Sequence, residues 1–263
     1  MTYPDAELDG RTADAAALGA LALTNYGHFT TMRVEEGRVR GLGLHLDRLV
    51  RDCRTVFGAD LDTAYVRGLL RRAVADTTGP VLVRVTVFDP ALDLGHPGRP
   101  GAPRVLVTRR PAAGLPLPPL RVVTAPYVRD TPRVKHTGLF GALHARRRAQ
   151  VSGADDVLFT GPDGWILEGP TWNVGFVAAD GAVVWPAGDV LPGVTAALLR
   201  GTGDHRVQPV TVAGVRGMRA AFAVNAGMGV RPISHIDATA FPLGFPAAAQ
   251  LLKAYLEIPG KPL

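Results

Sequence analysis

The sequence contains a basic stretch, RVKHTGLFGALHARRRAQ, that runs from Arg133 to Gln150 and has a lysine and a histidine side by side near its start. The amine of Lys135 can attack a carbonyl group and hold it covalently if other groups bind the rest of the ligand. A lysine taken alone is more commonly a solvated surface charge. We expect a basic helix to begin at this lysine, and the other reactive groups of the chain decide its role.

Two further charged residues stand in patterns that suit a ligand. Arg48 lies in the pattern His-x-x-Arg-Leu, beside the apolar stripe of a predicted helix and not on it. An ion pair between Arg48 and Asp52, one helical turn apart, is the structural alternative. Glu168 ends the predicted strand WILE before the turn GPTWN, where a carboxylate taken alone would be a surface charge.

Two segments could approach an anion through their backbone. VLPGVTAALL places a Pro-Gly turn directly before a predicted helix, so the N–H groups of Val194 and Thr195 and the Thr195 hydroxyl could form an anion seat. AFAVNAGMGVRPI runs from a predicted strand into the small residues Asn225 and Ala226, where a backbone could come close to a ligand. Each pattern alone is weak, because many helices and glycine turns begin this way.

The elements that must position these groups are a mixture of helices and strands. Period-2 and helical patterns alternate along the chain, with turn residues between them. We predict an N-terminal α/β lobe at 1–110, a proline-rich linker at 111–120 and a hairpin-rich C-terminal lobe at 121–263. The predicted elements are a hairpin in YGHFTTMRVEEGRVR, a helix closed by Gly58, a helix over Thr63–Asp76, strands in PVLVRVTVF and PRVLVTRR, hairpins in DDVLFTGPDGWILEG and NVGFVAADGAVVWP, and a closing helix in FPAAAQLLKAYLEI.

Composition excludes several classes of protein. The 263 residues are 47% hydrophobic and carry a net charge of +6, without a run long enough to span a membrane. The acidic start MTYPDAELDG does not suit a signal peptide, and the arginines accompany no nucleic-acid-binding motif. The single cysteine, Cys53, falls on an apolar helical stripe, which predicts a core position and no metal cluster. We expect a cytoplasmic protein that binds a small anionic ligand, with no metal, nucleic acid or membrane as partner.

Six blocks in one order resemble the fold type IV pyridoxal-phosphate enzymes. This group includes branched-chain aminotransferases, D-amino-acid aminotransferases and aminodeoxychorismate lyase. The blocks cover nearly the whole chain, and they are GHFTTMRVEEGRV, HLDRL, VKH, EGPTWNVGF, LPGVT and VNAGMGVRPI. The resemblance implies a two-lobed mixed α/β fold and pyridoxal 5'-phosphate as cofactor. It also implies a homodimer whose active sites lie near the subunit interface.

The resemblance also implies a role for each candidate residue. Lys135 would form the Schiff base with the cofactor and then move a proton between the substrate Cα and the cofactor C4′. Glu168 would pair with the pyridine nitrogen and Arg48 with the phosphate. The phosphate cup would be completed by Val194, Thr195, Asn225 and Ala226, and the substrate pocket by Phe29, Thr31, Arg33 and Arg129.

The sequence departs from the family pattern beside the substrate groups. The lysine is followed by His-Thr-Gly-Leu where lyases commonly have His-Leu-Asn-Arg, and Phe140 occupies a position that is tyrosine in branched-chain enzymes. Trp172 is bulky, and DPALDLGHPGRPGA replaces an Arg-Gly-rich loop. We therefore predict an aminotransferase for a small amino acid or similar amine. The alternatives are a lyase-like elimination, a specialised biosynthetic reaction and an inert pyridoxal-phosphate-binding protein.

Overall fold

The computed structural model describes residues 6–203 and 205–263, which form two compact units. The first unit holds the described residues up to Ala113 together with Val134–Gly138 and Pro259–Leu263, and the second holds Gly114–Arg133 and Leu139–Ile258. The segments 134–138 and 259–263, which we expected in a C-terminal lobe, thus belong to the first unit. The acidic start that argues against a signal peptide lies partly outside the described residues, at 1–5.

The first unit is a sheet with three helices. Numbered in chain order, its elements are β1 (Ala6–Leu8), β2 (Arg11–Thr12), α1 (Ala15–Thr24), β3 (His28–Glu35), β4 (Arg38–Val39), α2 (Leu42–Phe57), α3 (Thr63–Val74), β5 (Val81–Phe88), β6 (Arg104–Pro111) and β15 (Lys261–Pro262). The seven strands follow the order β15-β4-β3-β5-β6-β1-β2. Every neighbouring pair is antiparallel.

The local signals of this unit are confirmed. The predicted hairpin is β3–β4, with Val34 opposite Val39, and its turn places Gly37 at a φ of 68°. The predicted first helix is α2, and it ends at Gly58, whose φ of 63° suits a residue without a Cβ. The second helix starts where predicted, at Thr63, and its Asp62 cap accepts a hydrogen bond from the N–H of Ala64.

One face of this sheet packs on α2 and α3, and the opposite face carries the polar residues of interest. Strand side chains alternate between faces, so Met32 and Val34 of β3 enter the core with Val83 and Val85 of β5. Cys53 of α2 is fully buried in the same cluster, as predicted. Phe29, Thr31 and Arg33 consequently lie on the face directed away from these two helices.

The second unit is a mixed sheet with three helices. Its elements are β7 (Leu120–Pro126), α4 (Phe140–Val151), β8 (Asp156–Thr160), β9 (Asn173–Val177), β10 (Val183–Pro186), α5 (Val194–Arg200), β11 (His205–Gln208), β12 (Ala220–Asn225), β13 (Gly229–Ile236), β14 (Thr239–Ala240) and α6 (Pro246–Glu257). The main sheet has the order β11-β10-β9-β12-β13-β7-β8, and β14 pairs with β13. Parallel pairs join β10 to β11 and β7 to both β8 and β13.

The hairpin predictions hold here to different extents. The hairpin β9–β10 and the closing helix α6 are confirmed. In the other predicted hairpin, β8 pairs with the segment WILE only through an isolated bridge between Thr160 and Ile166 and a few backbone bonds. WILE is less regular because Ile166 also donates to the carbonyl of Val210, which lies outside the hairpin.

The predicted mixed α/β class is confirmed by the two sheets and the six helices of the described residues. Within residues 6–203 and 205–263, no helix combines the length and the apolar character that crossing a membrane requires.

Candidate functional site

Lys135 lies on an extended segment of the first unit, beside β3. Its carbonyl accepts a hydrogen bond from the N–H of Phe29 at 2.8 Å, and the N–H of Thr137 donates to the carbonyl of Gly27 at 2.8 Å. The Thr137 hydroxyl also donates to the carbonyl of Asn25 at 2.8 Å. The lysine segment is therefore hydrogen-bonded to the chain at the start of β3.

The expectation that a helix begins at the lysine is wrong. The helix α4 begins at Phe140, in the second unit, and it carries the run Arg146–Arg148. Residues 135–137 pair with the strand segment beside them, so their backbone groups cannot also form the i→i−4 bonds of a helix. The basic composition of the stretch suggested one element where the structure has two.

Arg48 and His45 lie on α2 of the same unit, and both are buried. The Nδ1 atom of His45 lies 2.7 Å from the hydroxyl of Thr30, and its Nε2 atom has no hydrogen-bond partner among the described residues. Burial, followed by the positive charges of Arg48 and Lys135, lowers the pKa of His45 to about 3. The imidazole is therefore neutral, and two cationic side chains of the candidate site contribute to the lowering of its pKa.

Two cationic groups lie over the aromatic ring of Phe29. The Nζ atom of Lys135 is 4.9 Å from the ring centroid, and the guanidinium carbon of Arg84 is 3.6 Å from it. Phe29 is 5% exposed and Arg84 is partly buried. Each cation is attracted to the ring, so the ring fixes the amine and the guanidinium on one side of the sheet.

Arg84 is the residue that our sequence analysis missed. Burial lowers its pKa to about 10, and no carboxylate within 6–203 and 205–263 pairs with it. Its Nε atom donates to the Thr86 hydroxyl at 3.1 Å. The signal that could have found it is strand alternation, because Arg84 lies opposite Thr31 in the register of β3 and β5.

The other two predicted substrate residues of β3 differ in their exposure and in their hydrogen bonds. Thr31 is partly exposed on the face that carries Phe29. Arg33 is buried, and its guanidinium contacts the Glu35 carboxylate at 2.7 Å and the carbonyl of Ala113 at 2.8 Å. Two of its nitrogens are thus already bound within the first unit.

In the second unit, Glu168 is a buried carboxylate with partners on both oxygens. Its Oε1 atom lies 2.9 Å from Nε of Arg129 in an ion pair, although this N–H does not point directly at the oxygen. Its Oε2 atom accepts hydrogen bonds of 3.3 Å from the Asn173 amide and from the N–H of Leu191. Arg129 also donates to the carbonyl of Pro170 at 2.7 Å.

Gly193 makes room for the side chain that supports Glu168. A Cβ atom at this position would lie only 1.8 Å from Oδ1 of Asn173. The Asn173 amide also donates to the carbonyl of Leu191 at 2.9 Å, so its position is fixed from two sides. The glycine of the LPGVT block therefore has a steric function in addition to the turn that the sequence suggested.

Val194 and Thr195 open helix α5, as the sequence predicted. Thr195 is 1% exposed, and its hydroxyl oxygen has no hydrogen-bond partner among the described residues. An unpaired buried hydroxyl costs free energy unless a ligand or water completes it. A phosphate oxygen is a fitting partner, so this part of the chain agrees with the implied cofactor.

The turn at Asn225 and Ala226 is held by the asparagine side chain. Its Oδ1 atom accepts hydrogen bonds of 2.9 Å from the N–H groups of Gly227 and Met228, and its amide donates to the carbonyl of Thr171 at 3.1 Å. The asparagine amide is thus used in shaping the turn, and the turn remains partly exposed.

Trp172 and Asp156 form a second buried polar group that sequence reasoning did not resolve. The indole of Trp172 donates to the Asp156 carboxylate at 2.8 Å, and Arg146 binds the same carboxylate through two nitrogens at 2.9 and 2.8 Å. Trp172 packs in the hydrophobic core of the second unit. These contacts account for the bulky residue that precedes Asn173.

Comparisons with known proteins find similarity over nearly the whole chain. The family described as "Amino-transferase class IV" matches residues 27–236. A fold IV transaminase from Curtobacterium pusillum has 25% identity, covers 95% of this chain and 94% of its own, and has a TM-score of 0.78. A hypothetical aminotransferase from Mycobacterium tuberculosis in a PLP-bound form has 21% identity, coverages of 96% and 98%, and a TM-score of 0.79.

A third solved structure, a branched-chain aminotransferase from the thermophilic archaeon Thermoproteus uzoniensis with norvaline, has 19% identity to this chain. It covers 97% of this chain and 94% of its own, with a TM-score of 0.82. No curated protein sequence matches the chain. The match over residues 27–236 spans most of the sequence and includes all six blocks that carry the resemblance. The chain belongs to the class IV aminotransferases, a family of enzymes that use pyridoxal phosphate.

Proposed function

We propose that the protein transfers an amino group from a small amino acid that carries a free carboxylate, with Lys135 as the catalytic residue. The observation that carries this proposal is that the Lys135 amine and the Arg84 guanidinium both lie over the Phe29 ring. A carboxylate bound to Arg84 would hold the attached amine on the side of the sheet that carries the lysine. Arg84 has no carboxylate of its own among the described residues, so its charge is available to a substrate.

When bound, pyridoxal phosphate supplies an aldehyde that condenses with amines and a ring that accepts electrons from the substrate Cα. The Lys135 amine would hold the cofactor through its aldehyde group. Its side chain would also carry a proton between the substrate Cα and the cofactor C4′. The hydrogen bonds that fix its backbone limit where the amine can reach, which favours proton transfer over one short path.

The other predicted residues are proposed to orient the cofactor. Arg48 binds the phosphate through charged hydrogen bonds, and the Thr195 hydroxyl donates to a phosphate oxygen. The backbone of Val194 and of the Asn225-Ala226 turn completes the phosphate contacts. The orphaned Thr195 oxygen supports this assignment most directly.

Glu168 is proposed to bind the pyridine nitrogen and to hold a proton there. Arg129, which we expected beside the substrate, is proposed to act on Glu168 instead, because its guanidinium is already engaged with that carboxylate and with Pro170. Phe29, Thr31 and Arg33 remain the proposed lining of the substrate pocket, and Arg84 joins them as the group that binds the carboxylate.

We also propose that the enzyme works in the cytoplasm as a homodimer. The loop between β5 and β6 supports the homodimer, because residues 92–100 are nearly all exposed within the first unit. Its ends are tied by Asp89, whose carboxylate accepts hydrogen bonds from the N–H groups of Ala91 and Ala102 at 2.8 and 3.0 Å. A long loop with anchored ends usually serves a binding site or an interface.

One experiment tests the lysine. The sequence has only two other lysines, Lys253 and Lys261, so borohydride reduction of the cofactor-loaded protein followed by peptide mapping gives a clear answer. We expect the label on Lys135, its loss in Lys135→Ala, and its retention in the control Lys253→Ala. A label on either other lysine contradicts the assignment.

A second experiment tests the reaction. Purified holoenzyme is mixed with single L- and D-amino acids without an acceptor. Amino transfer should release one 2-oxo acid per site and then stop until an acceptor 2-oxo acid is added. An elimination would continue without an acceptor, and that outcome would replace amino transfer with the lyase alternative.

A further inference from the structure

The buried carboxylate of Asp52 has a role that the cofactor assignment does not explain. Asp52 lies on α2, is fully buried, and accepts a hydrogen bond of 3.0 Å from the backbone N–H of Lys135 to its Oδ2 atom. Its Oδ1 atom binds the guanidinium of Arg51 at 3.0 and 2.7 Å. A buried carboxylate is costly without partners, so these contacts form a specific arrangement.

The carboxylate completes the backbone bonds of the lysine. The carbonyl of Lys135 is bound by the N–H of Phe29 in β3, and its N–H is bound by Asp52 in α2. Both polar groups of this one peptide residue are therefore satisfied, each by a different element of the first unit. A residue held from two sides loses most of its freedom to shift along either element.

The same helix carries the cation proposed for the phosphate. Arg48 and Asp52 are four residues apart on α2, so they lie on one side of the helix, one turn apart. The pKa of His45, which precedes Arg48 by three residues, is lowered by burial and by the charges of Arg48 and Lys135. The lysine segment thus lies against the part of α2 that presents His45, Arg48 and Asp52.

We infer that Asp52 is a positioning residue that ties the backbone of Lys135 to α2, so that the reactive amine and the Arg48 guanidinium are held by one rigid element. The inference rests on the proposed function of Lys135 and Arg48. The half-exposed side chain of Arg51 balances the charge of the Asp52 carboxylate, because it pairs with the oxygen that the Lys135 N–H does not use. Asp52 need not touch the cofactor to act in this way.

The tie itself is tested on the cofactor-free protein by hydrogen exchange at single amides. In Asp52→Ala, the Lys135 amide should exchange at least about tenfold faster, because it loses its acceptor. The Thr137 amide, bonded to Gly27 in the same segment, should change less than about threefold. Asp52→Asn, whose amide oxygen can still accept the bond, should restore the protection of Lys135.

The consequence for the amine is tested by its capture of pyridoxal phosphate. The cofactor-free protein is mixed with pyridoxal phosphate, quenched with borohydride at set times and mapped. Labelling of Lys135 should be slowed about tenfold in Asp52→Ala and less than about threefold in Asp52→Asn. Asp156→Asn is the matched control, since Asp156 is also buried and arginine-bound but lies in the second unit.

Each outcome decides between the alternatives. Equal acceleration of the Lys135 and Thr137 amides, or equal slowing of labelling in Asp156→Asn, would show a general loss of stability and overturn the inference. If Asp52→Ala does not fold, Asp52→Ser, with a hydroxyl too short to reach the amide, takes its place in both measurements. A wild-type protein whose Lys135 is never labelled would refute the proposed function, while the exchange result would still decide whether the tie exists.

Discussion

The guanidinium of Arg129 lies 2.9 Å from the carboxylate of Glu168, and each side chain is only 4% exposed. Both charges are therefore shielded from water, and substituting either side chain leaves the other buried without this partner. Since Glu168 is the proposed partner of the pyridine nitrogen, Arg129 controls the charge that this nitrogen would meet. A change in this ion pair should therefore affect both the stability of the second unit and its proposed chemistry.

Replacing Arg129 by methionine should destabilise the protein by roughly 3–5 kcal/mol, because the Glu168 carboxylate stays buried without its cation. Urea unfolding of the cofactor-free protein measures the change. The double variant Arg129→Met/Glu168→Gln should recover part of the loss. Strictly additive losses in the double-mutant cycle would mean that the two side chains do not interact as the geometry indicates.

Glu168→Gln should keep the cofactor bound and slow turnover by roughly 10²-fold or more, the scale of a lost proton-holding group. The amide cannot keep a proton on the ring nitrogen, whereas the phosphate contacts are untouched. Equilibrium binding of pyridoxal phosphate and single-turnover rates separate the two effects. Near-normal turnover would show that another acid serves the nitrogen.

Arg84→Gln should lower kcat/KM for amino acids by about 10- to 100-fold, the equivalent of one charged hydrogen bond of roughly 1.5–3 kcal/mol. The loss should be much smaller for an amine that lacks a carboxylate. Arg110→Gln is the matched control, because Arg110 lies on the same face of the sheet but is exposed. Equal losses with both types of substrate would remove the carboxylate role from Arg84.

His28 should make the protein sensitive to acid. The side chain is fully buried, and this burial lowers its pKa to about 4, against a weaker raising effect of the Asp52 charge and with a small further lowering by Arg51. As the pH falls, the unfolded chain takes up a proton near pH 6.5 and the folded chain only near pH 4. The stabilisation is therefore complete above pH 6.5 and is lost between pH 6.5 and about 4.

Unfolding free energies of the wild type and of His28→Leu at about pH 7 and about pH 4 check this expectation. The wild type should lose up to roughly 3 kcal/mol more than the variant over this interval. Carboxylates titrate in both proteins, so the difference between them isolates the histidine. An identical pH dependence would mean that folding does not lower the pKa of His28.

Shortening the β5–β6 loop within residues 92–101, inside the Asp89 ties, should leave the cofactor spectrum unchanged and alter substrate preference. Loss of the cofactor spectrum in the shortened variant would show that the loop supports the fold.

Light scattering of the wild type at low concentration should give the mass of a dimer. A fully active monomer would end the homodimer proposal.

The sequence by itself determined the elements whose signals are local. Hydrophobic period predicted α2 and α3, Gly58 predicted the end of α2, and the turn residues predicted β3–β4 and β9–β10, because these features depend on neighbouring residues. The order of six short blocks predicted the family and the cofactor. Each block on its own was too common to carry that conclusion.

The tertiary structure decided every relationship between residues far apart in the chain. Lys135 was expected on a helix, but pairing with β3 and the bond to Asp52 place it in an extended segment. No sequence pattern selected Arg84, because only the register of β3 and β5 places it on the face that carries Phe29. Arg129 became the partner of Glu168 in the same way. Such pairings depend on loop closure and burial, which a linear pattern of residue types does not encode.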